Sequence, residues 1–494
     1  MKQTIATILF ALTALPGLAQ GYIKPIDNFH QYQITHERST LPDRYDARDY
    51  GWVLDARDQM INGTCWAFSC TTAWQIGLHK NGLKTGYLTP HPLVTCHQGY
   101  LLEHITGGGN SRVANSMLAR LEGVVLDEAV PYNINDTECH TYAKKDIPAY
   151  VLGWEYLPEG DITAIKKSIM ANGAVSASFY YNTSAYNYAT NFYEYKGTET
   201  PNHAITLIGW DDSKQAWLAQ NSWGTSHYDG YIWISYKDLW VNKECTTYTN
   251  YTDVNCIDNV HHYTTAGMIA SYGEGVGVIS DGIIEYDFTE GEQLVAIGTG
   301  ISKPNTRVSF AVMDLNSMQF LYTSDATTVA LPGFYKHTLP TPLAVSGNIH
   351  IAVTYYSDTY DSVIPLEGSK PGHTSIVPKA GKQWIDFNES GNWKPIGNTI
   401  NPYNLCIYAY TKNENAPTAV ENVENTPIRI INGTQLAEET WNFARKIYVY
   451  GIDGKLYKIA QPHDATLPSL VTGVYLLAVE KLDGTTYTEK FRIP

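Results

Sequence analysis

The rhythm of hydrophobic and polar positions changes along this chain, and each change marks a different kind of element. Residues 65–80 (CWAFSCTTAWQIGLHK) carry apolar side chains at helical spacing and stop at Asn81-Gly82, so the pattern predicts a helix. Residues 113–122 predict a second helix, ended by Gly123. Residues 174–179, 203–210, 216–221 and 230–236 read as strands. Helices first and strands second point to an α+β unit rather than an alternating βαβ chain. From 267 to 412 the helical period nearly vanishes. There Val308, Phe310 and Val312 alternate with polar or small residues, as do Ile349, Ile351, Val353 and Tyr355, and residues 405–410 supply a closing strand. This predicts an all-β sandwich. Residues 413–425 (NENAPTAVENVEN) form a linker of low hydrophobicity. Residues 427–494 carry hairpin signals at Asp453-Gly454 and Asp483-Gly484, which predict a small β domain.

The two ends of the pattern change the picture further. Met1-Lys2, an apolar run over 5–15 and Gly17-Leu18-Ala19 have the layout of a secretory signal peptide over residues 1–19. Residues 20–40 are polar and mixed in charge, and read as a leader or short pro-segment. No later stretch reaches the roughly 20 apolar residues of a membrane-spanning helix, so no transmembrane segment is expected. Net charge is −15, from 49 acidic and 34 basic residues with no Lys/Arg-rich run, which argues against nucleic acid as a partner. Export would expose seven cysteines to an oxidising compartment, where an odd number leaves at least one thiol unpaired.

A reason for a free thiol lies in Gln59-Met60-Ile61-Asn62-Gly63-Thr64-Cys65-Trp66. A glycine-containing turn delivers Cys65 to the first turn of a helix, where unpaired N–H groups favour the thiolate, the nucleophilic form. A base is offered by His203, which opens an apolar strand, and an orienting amide by Asn221 in Asn221-Ser222-Trp223-Gly224. His203 falls within the roughly 130–150 residues downstream of such a cysteine where its partners lie, and Asn221 just beyond.

The ordered motifs LPDRYDARD, NGTCWAFS, NHAITLIGWDD and NSWGTSHYDGYIWIS resemble the papain family of cysteine peptidases over residues 41–265. The resemblance implies a helical half plus a β-barrel half, with Cys65 as nucleophile, His203 as its ion-pair partner, Asn221 as orienter and Gln59 as oxyanion donor beside the Cys65 amide. It implies that Trp223 shields the His203–Asn221 bond, that Gly108 and Gly109 pair with an extended substrate, and that Asn202, Ser178 and Ser111 line the specificity walls. A family disulfide is implied between Cys96 and Cys139. A further bridge, often placed near the nucleophile, is absent, with Asn62 and Thr106 in its positions, and a local bridge between Cys245 and Cys256 is expected in an extra loop. Residues 266–412 resemble the lectin-like β domain of some bacterial cysteine peptidases, and 427–494, after a linker at 413–426, resemble the Ig-like type IX secretion sorting domain. These resemblances imply a secreted or outer-surface endopeptidase whose partners are protein substrates, the secretion machinery and a glycan or cell-surface ligand of the β domain. The alternative is a catalytically retired scaffold that binds glycan or protein.

Other residues favour blander roles. Cys70 reads as a small buried hydrophobe. His261, His262, His227 and Asp229 lack zinc-site spacing, so neither a metal nor any other cofactor is expected. Tyr180-Tyr181 and Tyr355-Tyr356 read as strand packing.

Overall fold

The computed structural model describes residues 21–36, 41–102, 106–226, 228–315, 317 and 319–413, together with the backbone of strands between 430 and 493. The signal-peptide reading, most of the linker and both C-terminal hairpin turns lie outside the described residues.

The first unit splits into a helical and a stranded half. Its helices are α1 (Cys65–Lys80), α2 (His91–Thr95), α3 (Ser111–Ala119) and α4 (Ile162–Asn172). α1 is buried on nearly every face, because it runs between α3 and strands from the other half. A helix so enclosed can be apolar all round. α3 begins earlier than the sequence pattern suggests, since the Asn110 side chain accepts the Arg112 N–H and caps it. In the stranded half, His203–Asp211 is central, pairing antiparallel with Val175–Phe179, Ala216–Gln220 and Arg44–Asp46. Tyr231–Ser235 extends this sheet beside Ala216–Gln220. α1 is locked to the central strand by polar links at the half-to-half boundary. Ser69 Oγ donates to the Ile205 carbonyl at 2.7 Å, and Thr206 Oγ1 donates to the Ser69 carbonyl at 3.1 Å.

The second unit is all β, as its alternation predicts. Two long strands, Ser280–Ile301 and Gly333–Tyr356, pair antiparallel, with register shifts after Phe288 and Leu294 that let so long a ribbon bend. Val308, Phe310, Val312, Ile349, Ile351, Val353 and Tyr355 all point inward and are buried. The strand Asn259–His261, which leads out of the first unit, already pairs with Ile407–Asn413 of the second. The units also share a core. Trp154 stacks on Phe334 with ring centres 4.5 Å apart, Gly333 and Phe334 pair with Glu155 and Trp154, and Tyr410 Oη donates to the Ala119 carbonyl at 2.8 Å.

In the C-terminal block, Ala444–Gly451, Leu456–Ala460, Gly473–Lys481 and Thr486–Ile493 form a four-stranded antiparallel sheet. The first two of these strands pair with each other, the last two likewise, and Ala444–Gly451 also pairs with Gly473–Lys481. Among the described residues no helix is long and apolar enough to cross a membrane.

Cys96 and Cys139 are joined in a disulfide. The expected bridge between Cys245 and Cys256 is not formed. Cys245 is fully buried before Thr246–Thr252 and Cys256 lies past its far end. A seven-residue strand spans roughly 20 Å, whereas bridged Cα atoms must lie within about 7 Å. Cys70 is buried and receives the Tyr248 hydroxyl proton at 3.2 Å, the packing role expected of it.

Candidate active site

The Cys65 sulfur sits at the start of α1, whose N-cap Thr64 makes no side-chain capping bond, so the first amides of the helix remain directed at the sulfur. Sγ also accepts the Ala204 N–H at 3.4 Å, which puts it against the backbone of the histidine strand. From that strand the His203 ring reaches Asn221, with Nε2 2.8 Å from Oδ1. The Asn221 amide is oriented unambiguously, because the same Oδ1 accepts the Ser222 N–H at 2.8 Å. An amide oxygen only accepts, so Nε2 carries the proton and the neutral ring keeps its free lone pair on Nδ1. Nδ1 is buried with no hydrogen-bond partner among the described residues. The Trp223 indole stacks on His203 with ring centres 4.6 Å apart, and Tyr181 meets Trp223 edge-on, which shields the pair from water.

Gln59 is fully buried beside this group. Its Oε1 accepts the Ser222 hydroxyl at 2.5 Å, which fixes the carboxamide, and its Nε2 donates to the Asn62 carbonyl at 2.8 Å with a second N–H remaining. Ser222 therefore ties Gln59 and Asn221 together through three of its atoms, since its carbonyl also accepts the Gln59 N–H at 2.8 Å. In the sequence Ser222 reads only as part of a turn.

The cleft is not open. Gly21 and Tyr22 donate their N–H groups to the Asn202 carbonyl, both at 3.1 Å, and the Gly21 carbonyl accepts the Gly109 N–H while Ile23 N–H donates to Gly109 O, both at 2.9 Å. Gly109 thus pairs with an extended segment of the protein itself, residues 21–23, running parallel to it. A Cβ on Gly109 would lie 2.5 Å from the Trp66 ring, and Gly108, at φ +71°, would meet the Gly21 carbonyl, so both positions need glycine. Asn202 contributes its carbonyl here, whereas its side chain bonds the Tyr181 backbone.

Leader side chains hold the segment down. Tyr22 Oη donates to Glu244 Oε2 at 2.7 Å, and Ser178 Oγ approaches the same oxygen at 3.4 Å, so Glu244 floors the pocket that Tyr22 fills. Ser111 stands nearby, its Oγ 3.2 Å from Thr246 Oγ1. Asp27 forms a two-pronged pair with Arg112, at 2.7 Å on both prongs, and each side chain is only 4% exposed. Phe29 and Tyr32 are buried, and Tyr32 Oη donates to the Tyr156 carbonyl at 2.6 Å. The sequence shows no helical period here because the segment is an extended strap anchored by individual side chains.

Covering changes the electrostatics. Burial pushes the Cys65 thiol up to about 12, against the amide N–H groups of Ala204, Trp66, Cys65 and Gly21 that favour the thiolate. Burial likewise lowers His203 to about 4, although its bond to Asn221 favours the charged form. Burial thus acts against the charged form of both groups, and no hydrogen bond joins Nδ1 to Sγ.

Two of the histidines set aside as metal ligands have protein partners instead, His261 on Glu292 at 2.6 Å and His262 on the Thr264 carbonyl at 2.8 Å. His227 lies outside the described residues.

Comparison with known proteins agrees with this geometry. Residues 41–253 match the papain family cysteine proteases. Mouse cathepsin S is 32% identical over 204 residues, 40% of this chain and 60% of that protein, and a Caenorhabditis elegans cathepsin L-like protein is 30% identical over 203 residues, 40% and 59% of the two chains. The chain thus spans about 60% of the length of the curated relatives it matches. The structure of the cysteine protease and lectin-like domains of Cwp84, a surface layer associated protein of Clostridium difficile, superposes with a TM-score of 0.68 at 20% identity, over 80% of this chain and 93% of that one. That likeness establishes a shared fold across both units. Residues 41–253 form a papain-family cysteine peptidase domain.

Proposed function

We propose that the protein is a cysteine endopeptidase of extended polypeptide substrates, kept latent by its own leader. The observation that carries this reading is the free, unprotonated Nδ1 of His203, held by Asn221 under Trp223, on the strand whose backbone touches the Cys65 sulfur. In the latent form the Gly21 N–H stands beside Sγ, so the leader occupies the space in front of the nucleophile. Once the leader departs, water enters, the burial penalty on both charged forms falls, and the thiol proton passes to Nδ1. The thiolate attacks the substrate carbonyl carbon. The oxyanion takes N–H bonds from the Gln59 side chain and the Cys65 backbone, and the leaving amine takes its proton from His203. Water then hydrolyses the thioester with His203 as base. The pocket that Tyr22 fills is floored by a carboxylate, so the substrate side chain placed there is one whose tip donates a hydrogen bond, a phenol or a basic group.

The secreted or surface location, the sorting role of 427–494 and a glycan or cell-surface ligand for the β unit belong to the same reading and rest on the resemblances of their sequences. A retired scaffold would have no use for a matched nucleophile, base, orienter and oxyanion donor.

The test is hydrolysis of blocked fluorogenic peptides by the full chain under reducing conditions. Wild type should cleave them as its leader is released, and Cys65→Ala should be silent. Equal turnover by Cys65→Ala, or none by wild type after the leader has been cut away, would reject the assignment.

A further inference from the structure

We propose that His91, Asp136 and His140 form a binding site for a divalent metal ion of zinc type, separate from the peptidase centre. One ligand atom from each of the three lies within 4.8 Å of the others. His140 Nε2 is 2.7 Å and His91 Nε2 3.9 Å from the same oxygen, Asp136 Oδ2. Around a tetrahedral ion with bonds of about 2.0–2.1 Å, ligand atoms stand roughly 3.3 Å apart. The observed separations bracket that value, and Asp136 and His140 are exposed enough to adjust.

A second observation points to a ligand. His91 is fully buried, yet among the described residues neither ring nitrogen makes a hydrogen bond of sound geometry, the Glu138 backbone offering only a weak contact. A buried imidazole normally bonds through at least one nitrogen, and an ion at Nε2 would supply that bond. The surroundings are arranged for it. Asp136 Oδ1 accepts the Glu138 N–H at 3.0 Å, which turns Oδ2 toward the two rings. The disulfide joins Cys96, which caps the helix that His91 begins, to Cys139, the neighbour of His140. A covalent staple therefore holds the three ligands together. Two imidazoles and one carboxylate suit zinc with a fourth position open to water. The same loop carries Tyr132, whose hydroxyl donates to the Gln59 carbonyl at 3.1 Å and lies 2.8 Å from Thr64 Oγ1, so a bound ion would stiffen the brace behind the nucleophile turn.

The full chain carrying Cys65→Ala, which keeps zinc off the nucleophilic sulfur, is stripped with chelator and titrated with zinc chloride by calorimetry, with metal content read after dialysis. A single equivalent should bind and raise Tm, reversibly with chelator. Asp136→Asn and His140→Ala should each weaken binding about tenfold or more. His140 is 45% exposed, so its replacement leaves the metal-free Tm in place even if His91→Ala fails to fold. Absence of stoichiometric binding, or binding that both surface variants retain at full affinity, overturns the site.

Discussion

The Asp27–Arg112 pair offers the sharpest test of how the cleft is kept closed. In the docked state both side chains are 4% exposed, and the leader supplies the carboxylate. Asp27→Asn keeps the shape but leaves Arg112 buried without a counter-charge, whereas with the leader undocked both groups return to water. Removing one partner of a buried pair costs about 3–5 kcal/mol, and about 1.4 kcal/mol is tenfold in an equilibrium. The undocked population should therefore rise by roughly 10² to 4 × 10³-fold. The assay is the rate at which iodoacetamide alkylates Cys65 in the full chain, followed by peptide mass mapping, with buried Cys70, Cys245 and Cys406 as internal references. If docking and undocking are fast, the rate follows the undocked population. Tyr22→Phe, which removes one hydrogen bond to a carboxylate worth about 1.5–3 kcal/mol, should accelerate labelling about 10 to 100-fold. Labelling of Cys65 at the wild-type rate in both variants would show that these contacts do not govern access.

Further expectations concern turnover, selectivity and pH. Gln59→Ala should lower kcat about 10²-fold with KM little changed, because the side chain acts on the developing oxyanion; an unaltered kcat rejects that role. Glu244→Leu should reduce the ratio of kcat/KM between peptides carrying tyrosine and phenylalanine in the Tyr22 pocket about tenfold. That ratio does not depend on how much enzyme is unmasked, and its constancy would remove Glu244 from specificity. Burial acts to raise the Asp27 carboxyl, but Arg112 overcomes it and holds it below the ordinary range. The docking energy from this pair is then complete above the unperturbed value of about 3.9 and is lost as pH falls through the lowered value. Cys65 labelling should accordingly show no rise attributable to Asp27 between neutral pH and about pH 4, and one below it that Asp27→Asn lacks.

What could be read beforehand follows from how local each signal is. Cys65, His203, Asn221 and Gln59 sit in contiguous motifs, and the strands at 174–179, 203–210, 216–221 and 230–236 agree with the structure to within a residue or so, because alternation and burial coincide there. Glu244 was illegible, since a carboxylate beside Cys245 gains meaning only when Tyr22, far away in the chain, lies over it. Ser222 looked like a turn residue because its three bonds reach Gln59 and Asn221 through space as well as sequence. Helix α4 carries too mixed a pattern to stand out, and its start is fixed by the Asp161 side chain accepting the Ala164 N–H. The pairing expected of Cys245 and Cys256 failed on length: nearness in sequence became distance once the intervening residues were extended.

The strap across the cleft is covalently continuous with the domain it covers, and this sets its strength. While tethered, it faces the cleft at an effective concentration that short linkers bring to the millimolar range, whatever the protein concentration. A single cut after His36 would turn the same contacts into an ordinary bimolecular complex, governed by dilution. Outside a confined compartment the freed peptide would drift off and not return, so one hydrolytic event would act as a one-way switch even though no individual contact had weakened.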